Sequence, residues 1–137
     1  MSHHCQAALI RCIDFRLNTA IDSWLEKQGL KDSCDIISIA GVGKTIAADP
    51  ESPEAKYLLE QIRISVDLHQ IKTVYIMQHT DCGAYGGHAA FTDEEEELKT
   101  YLSTREKVVE IIKQKWPNLE VKYPLADIRV DGRVEII

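Results

Sequence analysis

At 137 residues, 45% hydrophobic and 28% charged, the chain has the length of one domain and enough apolar material to bury a core. Its formal net charge of −6 argues against a nucleic-acid partner, because counterion release at phosphates needs clustered Lys and Arg. No apolar stretch approaches the length that spans a bilayer. The start, MSHHCQAALIRC, lacks a basic segment followed by a long apolar core. Cys5, Cys12, Cys34 and Cys82 read as thiols of a cytoplasmic protein rather than as a disulfide framework.

The apolar run AALIRCI, residues 7–13, predicts a buried strand interrupted only by Arg11. In NTAIDSWLEKQG, Ile21, Trp24, Leu25 and Gln28 recur at helical spacing, and Gly29 suits the C-terminal cap. A second strand is expected over 34–40, followed by a loop over 41–52. Ser52 then caps a helix whose first residue is Pro53 and whose face carries Leu59, Ile62, Val66 and His69. KTVYIM predicts a third strand, with His79 just past its end. The acidic run DEEEE at 93–97 opposes the positive end of a helix dipole and marks a helix start. From there Leu98, Leu102, Arg105, Val109, Ile112 and Trp116 trace an amphipathic helix that stops at Pro117. The tail is extended, and Asp131-Gly132 is its hairpin signal. Alternation of strand and helix implies a single α/β domain over 1–137, with a mainly parallel central sheet flanked by helices and a C-terminal β-hairpin.

Parallel sheets bind ligands at the carboxyl ends of their strands. Cys12 falls at the end of the first expected strand and His79 at the end of the third, with Cys82 three residues on. If the two strands are neighbours, two thiolates and one imidazole converge. That donor set suits Zn2+ and leaves a fourth position open, as catalytic sites do. Asp14 and Arg16 follow Cys12 at intervals of two, which in extended chain projects all three to one side. An aspartate there can ligate the ion or accept a hydrogen bond from its water, with the arginine holding it ionised. The competing reading is a surface ion pair after a core strand, with Cys12 as filling.

These two motifs, CIDFR and QHTDCG, resemble the Cys-x-Asp-x-Arg and His-x-x-Cys-Gly of the β-class carbonic anhydrases. Their order, their spacing and the tail YPLADIRVDGRV are also similar, so the resemblance runs from about residue 7 to 134, as in a short, divergent member. It implies Cys12, His79 and Cys82 as zinc ligands, and Asp14 and Arg16 as the catalytic dyad that gates the fourth ligand. It further implies reversible hydration of CO2 to bicarbonate by attack of zinc-bound hydroxide, in a homodimer or higher homo-oligomer. His88 is a proton-shuttle candidate only by its nearness in the chain.

Several departures open other readings. SIAGVG keeps only Ala40 and Gly41 of the family's pattern after the second strand. Phe15 stands where a small residue is usual, Gln78 replaces a glycine, and the family's positioning glutamine has no counterpart before Cys12. A related hydrolase acting on carbonyl sulfide or carbon disulfide, or a non-catalytic zinc-stabilised binding domain, fits the same motifs. AGVGKT is not a phosphate-binding loop, since that pattern requires glycine where Ser38 stands. Gly41 and Gly43 are expected to let the backbone pass close to the metal cleft, with Lys44 placed to attract an anion. A phosphatase-like use of Cys12 and Arg16 is disfavoured, because Asp14 would repel the anion. Cys5 and Cys34 are expected as plain thiols, His69 as a capping or core residue, and Gly83, Gly86 and Gly87 as turn formers.

Overall fold

The structure, a computed structural model, describes residues 3–137. Six strands form its sheet: β1 (Ala7–Arg11), β2 (Cys34–Ser38), β3 (Thr73–His79), β4 (Glu120–Lys122), β5 (Leu125–Ile128) and β6 (Val134–Ile136). They run in the order β2-β1-β3-β5-β6, with β4 also paired to β3. Every pairing is parallel except that of β5 with β6. β1 is buried at all five positions, which is why it reads as an apolar run up to Arg11. β3 is the long central strand: its first half pairs with β4 and its last two residues with β5. The sheet is thereby extended at the end where β3 delivers His79.

Four helices accompany it: α1 (Asn18–Lys27), α2 (Lys44–Ala48), α3 (Pro53–His69) and α4 (Glu94–Lys115). α1 buries Ile21 and Leu25, and Gly29 follows it at φ +69°, a conformation that releases the chain toward β2. Ser52 caps α3 by accepting a hydrogen bond from Ala55 N, with Pro53 in the first turn, as expected. Asp93 caps α4 through Glu96 N, and four glutamates fill its first turn. In the tail, Arg129 N donates to Arg133 O at 2.8 Å around Gly132 at φ +86°, which closes the β5–β6 hairpin.

Two elements differ from expectation. Residues 41–52 are not all loop, because α2 forms within them. Its Ile46 is fully buried, and a Cβ on Gly43 would run into the Val108 side chain of α4. Close packing, rather than local propensity, makes this helix. α4 itself is turned about one residue from the expected face. Leu98 and Leu102 are 44% and 41% exposed, while Glu97, Tyr101, Val108 and Ile112 are buried. The cause is Glu97, whose carboxylate accepts from Asp81 N of the loop after β3 and is thereby held inside. Among the described residues, no helix is long and apolar enough to cross a membrane.

Candidate metal centre

β1 and β3 are hydrogen-bonded neighbours with Arg11 opposite Met77. Cys12 is the first residue past β1, and His79 is the last residue of β3 rather than a residue beyond it. The adjacency that the motif reading required is therefore present at the carboxyl ends of parallel strands. Cys12, His79 and Cys82 are all buried, and one donor atom from each lies within 4.8 Å of the others. Zinc–sulfur bonds of about 2.3 Å at tetrahedral angles set two sulfurs about 3.8 Å apart, so the cluster can close on such an ion with small side-chain movements.

The chemistry of the donors fits a cation. His79 Nδ1 lies 2.7 Å from Thr80 O; a carbonyl only accepts, so Nδ1 carries the proton and Nε2 offers its lone pair. That Nε2 is buried without a hydrogen-bond partner, which native interiors avoid unless something is to be bound. The two cysteines share a proton. A hydrogen bond from Cys82, outweighing burial, holds the Cys12 thiol well below the usual thiol range, with the neighbouring His79 ring next and the amides of Gly41 and Asp14 adding to it. The same bond, together with burial, pushes Cys82 up. A divalent ion would replace that proton.

Asp14 stands beside the cluster, its Oδ2 3.9 Å from His79 Nε2. It opens a 3-10 turn at Phe15–Leu17 by accepting from Arg16 N at 2.9 Å. The Arg16 guanidinium grips both carboxylate oxygens, with Nη2 2.7 Å from Oδ2 and Nε 3.0 Å from Oδ1. These bonds hold the Asp14 carboxyl down to about 2. Arg16 also reaches Asp81, with Nη1 2.9 Å from Oδ2 and Nη2 3.1 Å from the carbonyl. One arginine thus ties the Cys12 turn to the loop between His79 and Cys82.

Several residues that the sequence reading passed over hold this arrangement. Arg11 is buried because its head folds onto the chain ahead, donating to Cys12 O at 2.7 Å and Asp14 O at 2.9 Å. Glu97 Oε1 accepts from Asp81 N at 2.6 Å and from Tyr101 Oη at 2.7 Å, and Cys82 N donates to Tyr101 Oη at 3.3 Å. Glu97 Oε2 lies 2.6 Å from His88 Nδ1, and His88 N donates to Asp81 Oδ1 at 2.8 Å. His88 therefore buttresses the loop and lines a different hollow, with Thr80, Glu97 and Arg129. A signal for Glu97 existed in its spacing from Tyr101, Val108 and Ile112, which continues their face back by one turn.

The cleft over the cluster is walled by Cys12, Ile13, Asp14, Phe15, Ala40 and Ala84. Phe15 and Ile13 are 79% and 62% exposed, so Phe15 stands at the rim and does not fill the interior. Gly41, at φ +75°, brings its backbone so close that an added Cβ would sit 2.9 Å from Ala84 Cβ; the close passage expected of this glycine is present. Lys44 is engaged in holding the same loop. Its ammonium donates to Ala84 O and lies over the Tyr85 ring, 5.0 Å from the centroid.

Fold and donors together define an α/β protein with a metal-competent cleft at the carboxyl ends of its parallel strands. A family model described as "Putative carbonic anhydrase" matches residues 2–123, and the chain belongs to that family. Two uncharacterised proteins are each 33% identical over 132 residues. The one from Rickettsia conorii is covered to 70% of its length and the one from Rickettsia bellii to 79%, in both cases by 94% of this chain. The crystal structure of β-carbonic anhydrase isoform I from Trichomonas vaginalis is similar at a TM-score of 0.63 and 18% identity, covering 98% of this chain and 84% of that one. At that identity the likeness is one of fold, a β-carbonic-anhydrase-like sheet flanked by helices.

Proposed function

We propose that the chain is a single-domain, zinc-dependent lyase of the carbonic anhydrase type, interconverting CO2 and bicarbonate in the cytoplasm. The observation that carries this reading is the convergence of Cys12, His79 and Cys82 from adjacent strand ends, with His79 Nε2 buried and unpartnered. These three residues would hold the ion. Zinc, when bound there, supplies a Lewis acid that brings the ionisation of water near neutrality.

Everything else is asked of the chain's own groups. Arg16 keeps Asp14 ionised and holds both of its carboxylate oxygens. From its place 3.9 Å from His79 Nε2, Asp14 would accept a hydrogen bond from a water molecule in the cleft and orient it toward the substrate. Ile13, Phe15, Ala40 and Ala84 give the cleft an apolar wall suited to a small uncharged molecule and poor in competing water. The exposed Ile13 and Phe15 at its mouth favour a homodimer or higher homo-oligomer in which a second copy covers the rim.

Metal quantification and stopped-flow CO2 hydration across pH test this proposal. Wild type is expected to hydrate CO2, and Cys12→Ser to lose both the activity and one equivalent of zinc. Zinc-replete wild type that is inert toward CO2 overturns it. Release of hydrogen sulfide from carbonyl sulfide in that case would assign the same cleft to the related hydrolase chemistry.

A further inference from the structure

A second set of donors meets at the opposite end of the sheet. Cys5 lies two residues before β1, Asp35 is the second residue of β2, and His69 is the last residue of α3. One donor atom from each lies within 4.8 Å of the others. The sequence offered Cys5 as a plain thiol and His69 as a cap or core residue, and gave no reason to join them to Asp35. The fold joins them by long-range bonds. Cys5 N donates to His69 O at 3.0 Å, and the β1–β2 register sets Ala7 against Cys34 and Ala8 against Asp35.

Two further features make this corner receptive to a cation. Asp35 Oδ2 is oriented by Ser65 Oγ at 2.7 Å and lies 2.6 Å from His69 Nδ1, the kind of outer support that ligating carboxylates carry. His69 also ends a 17-residue helix, whose last carbonyls give the corner negative potential. The Asp35 and His69 side chains are each 28% exposed, so an ion can enter and water can complete its shell.

We propose that Cys5, Asp35 and His69 form a second site for a divalent transition metal, with one sulfur, one oxygen and one nitrogen ligand and solvent in the remaining position. A mixed set of this kind suits zinc or cobalt and not the hard ions calcium and magnesium, which take oxygen shells. A tetrahedral ion with bonds of about 2.0–2.1 Å sets nitrogen and oxygen about 3.4 Å apart. His69 and Asp35 therefore open by less than about 1 Å to admit it, and the Cys5 thiol gives its proton to solvent. β1 rises about 3.3 Å per residue, so Cys5 and Cys12 stand about 20 Å apart. The two sites cannot share an ion.

The test is cobalt titration of the full chain after its metal has been stripped with a chelator. Wild type is expected to take up two equivalents. Cys5→Ser and His69→Ala each lose one, with far-UV circular dichroism unchanged because both side chains are only half-buried. Cys12→Ser/Cys82→Ser keeps the other equivalent, whose cobalt–thiolate absorption then disappears when Cys5→Ser is added. Loss of all uptake in Cys12→Ser/Cys82→Ser, or wild-type uptake by Cys5→Ser, overturns the proposal and leaves the cluster as a His69–Asp35–Ser65 hydrogen-bond network.

Discussion

Replacing Glu97 separates two roles that a glutamate at this position can have, helix-start charge or buttress of the loop between His79 and Cys82. Its side chain is 2% exposed, and it meets Asp81 N, Tyr101 Oη and His88 Nδ1 within 2.6–2.7 Å. In Glu97→Ala the first two of these become buried donors without an acceptor, at about 1–3 kcal/mol each. His88 is half-exposed and recovers its loss from water. The sum, about 2–6 kcal/mol, is a large part of the 5–15 kcal/mol that typically holds a domain together. Glu97→Gln keeps an oxygen facing Asp81 N and Tyr101 Oη and presents an NH2 to His88 Nδ1. Because an amide oxygen is a weaker acceptor than a carboxylate, its cost is about 1 kcal/mol.

Urea unfolding of chelator-treated protein, followed by circular dichroism, reads these differences as midpoint shifts at constant slope. The order expected is wild type, then Glu97→Gln, then Glu97→Ala. Since Asp81 is also the second anchor of Arg16, zinc affinity should fall about 10–100-fold in Glu97→Ala, the usual effect of losing an outer support. If Glu97→Ala unfolds within about 0.5 kcal/mol of wild type, as an ordinary surface substitution does, Glu97 serves only the helix dipole and the buttress argument is wrong.

Arg16→Gln releases the Asp14 carboxyl from its two-pronged hold, and stopped-flow CO2 hydration should drop about 10–100-fold; Arg16→Lys should not restore it, because an ammonium cannot grip two oxygens in a plane. Gly43→Ala drives a methyl into Val108 and should cost about 1–3 kcal/mol in urea unfolding, most of it recovered in Gly43→Ala/Val108→Ala. Burial, followed by the charges of Cys5 and Asp35, pushes the Cys34 thiol up to about 12 from 9.0. The unfolded chain gives up that proton first, so the contribution is full below about pH 9 and is lost as pH rises from there toward 12. Between about pH 8 and 10.5 in chelator, wild type should lose about 1–2 kcal/mol more than Cys34→Ala; equal losses would place Cys34 in water.

Much of the architecture was legible because it is written locally. The apolar Ala7–Ile10 run of β1, the Ser52-Pro53 start of α3, Gly29 after α1 and the Asp131-Gly132 hairpin each carry their own signal within a few residues. The three candidate ligands were legible for a different reason. A thiol or imidazole one step from a strand end has few uses, and two such ends in one parallel sheet meet once the strands are adjacent. What stayed hidden depends on contacts between distant segments. α2 exists because Gly43 lets it press on α4, and α4 is turned because Asp81 and His88 bond Glu97. Arg11 looked like an interruption of a core strand; only the path of the chain after Cys12 shows that its guanidinium is satisfied by two carbonyls. Cys5, Asp35 and His69 come from three segments with no shared motif, so composition offered nothing to connect them.

The register of β1 on β3 is what gives the site its geometry. Arg11 lies opposite Met77, so the chain leaves β1 as Cys12 while β3 still has two residues to run. A slip of one residue would carry His79 about 3.3 Å along the strand and turn it to the other face of the sheet. Leu9, Ile10, Ile76 and Met77, all buried, hold that register against the core, which places the positional information for the donors in apolar residues of the strands that carry them. The strand ends are tied by the Arg16 bridge from Asp14 to Asp81 and would be tied a second time by an ion held between Cys12, His79 and Cys82. Two ties across the same gap share one loop-ordering cost. Removing Arg16 from zinc-loaded protein should therefore destabilise it less than removing Arg16 from chelator-treated protein, a coupling that a double cycle of substitution and chelation measures directly.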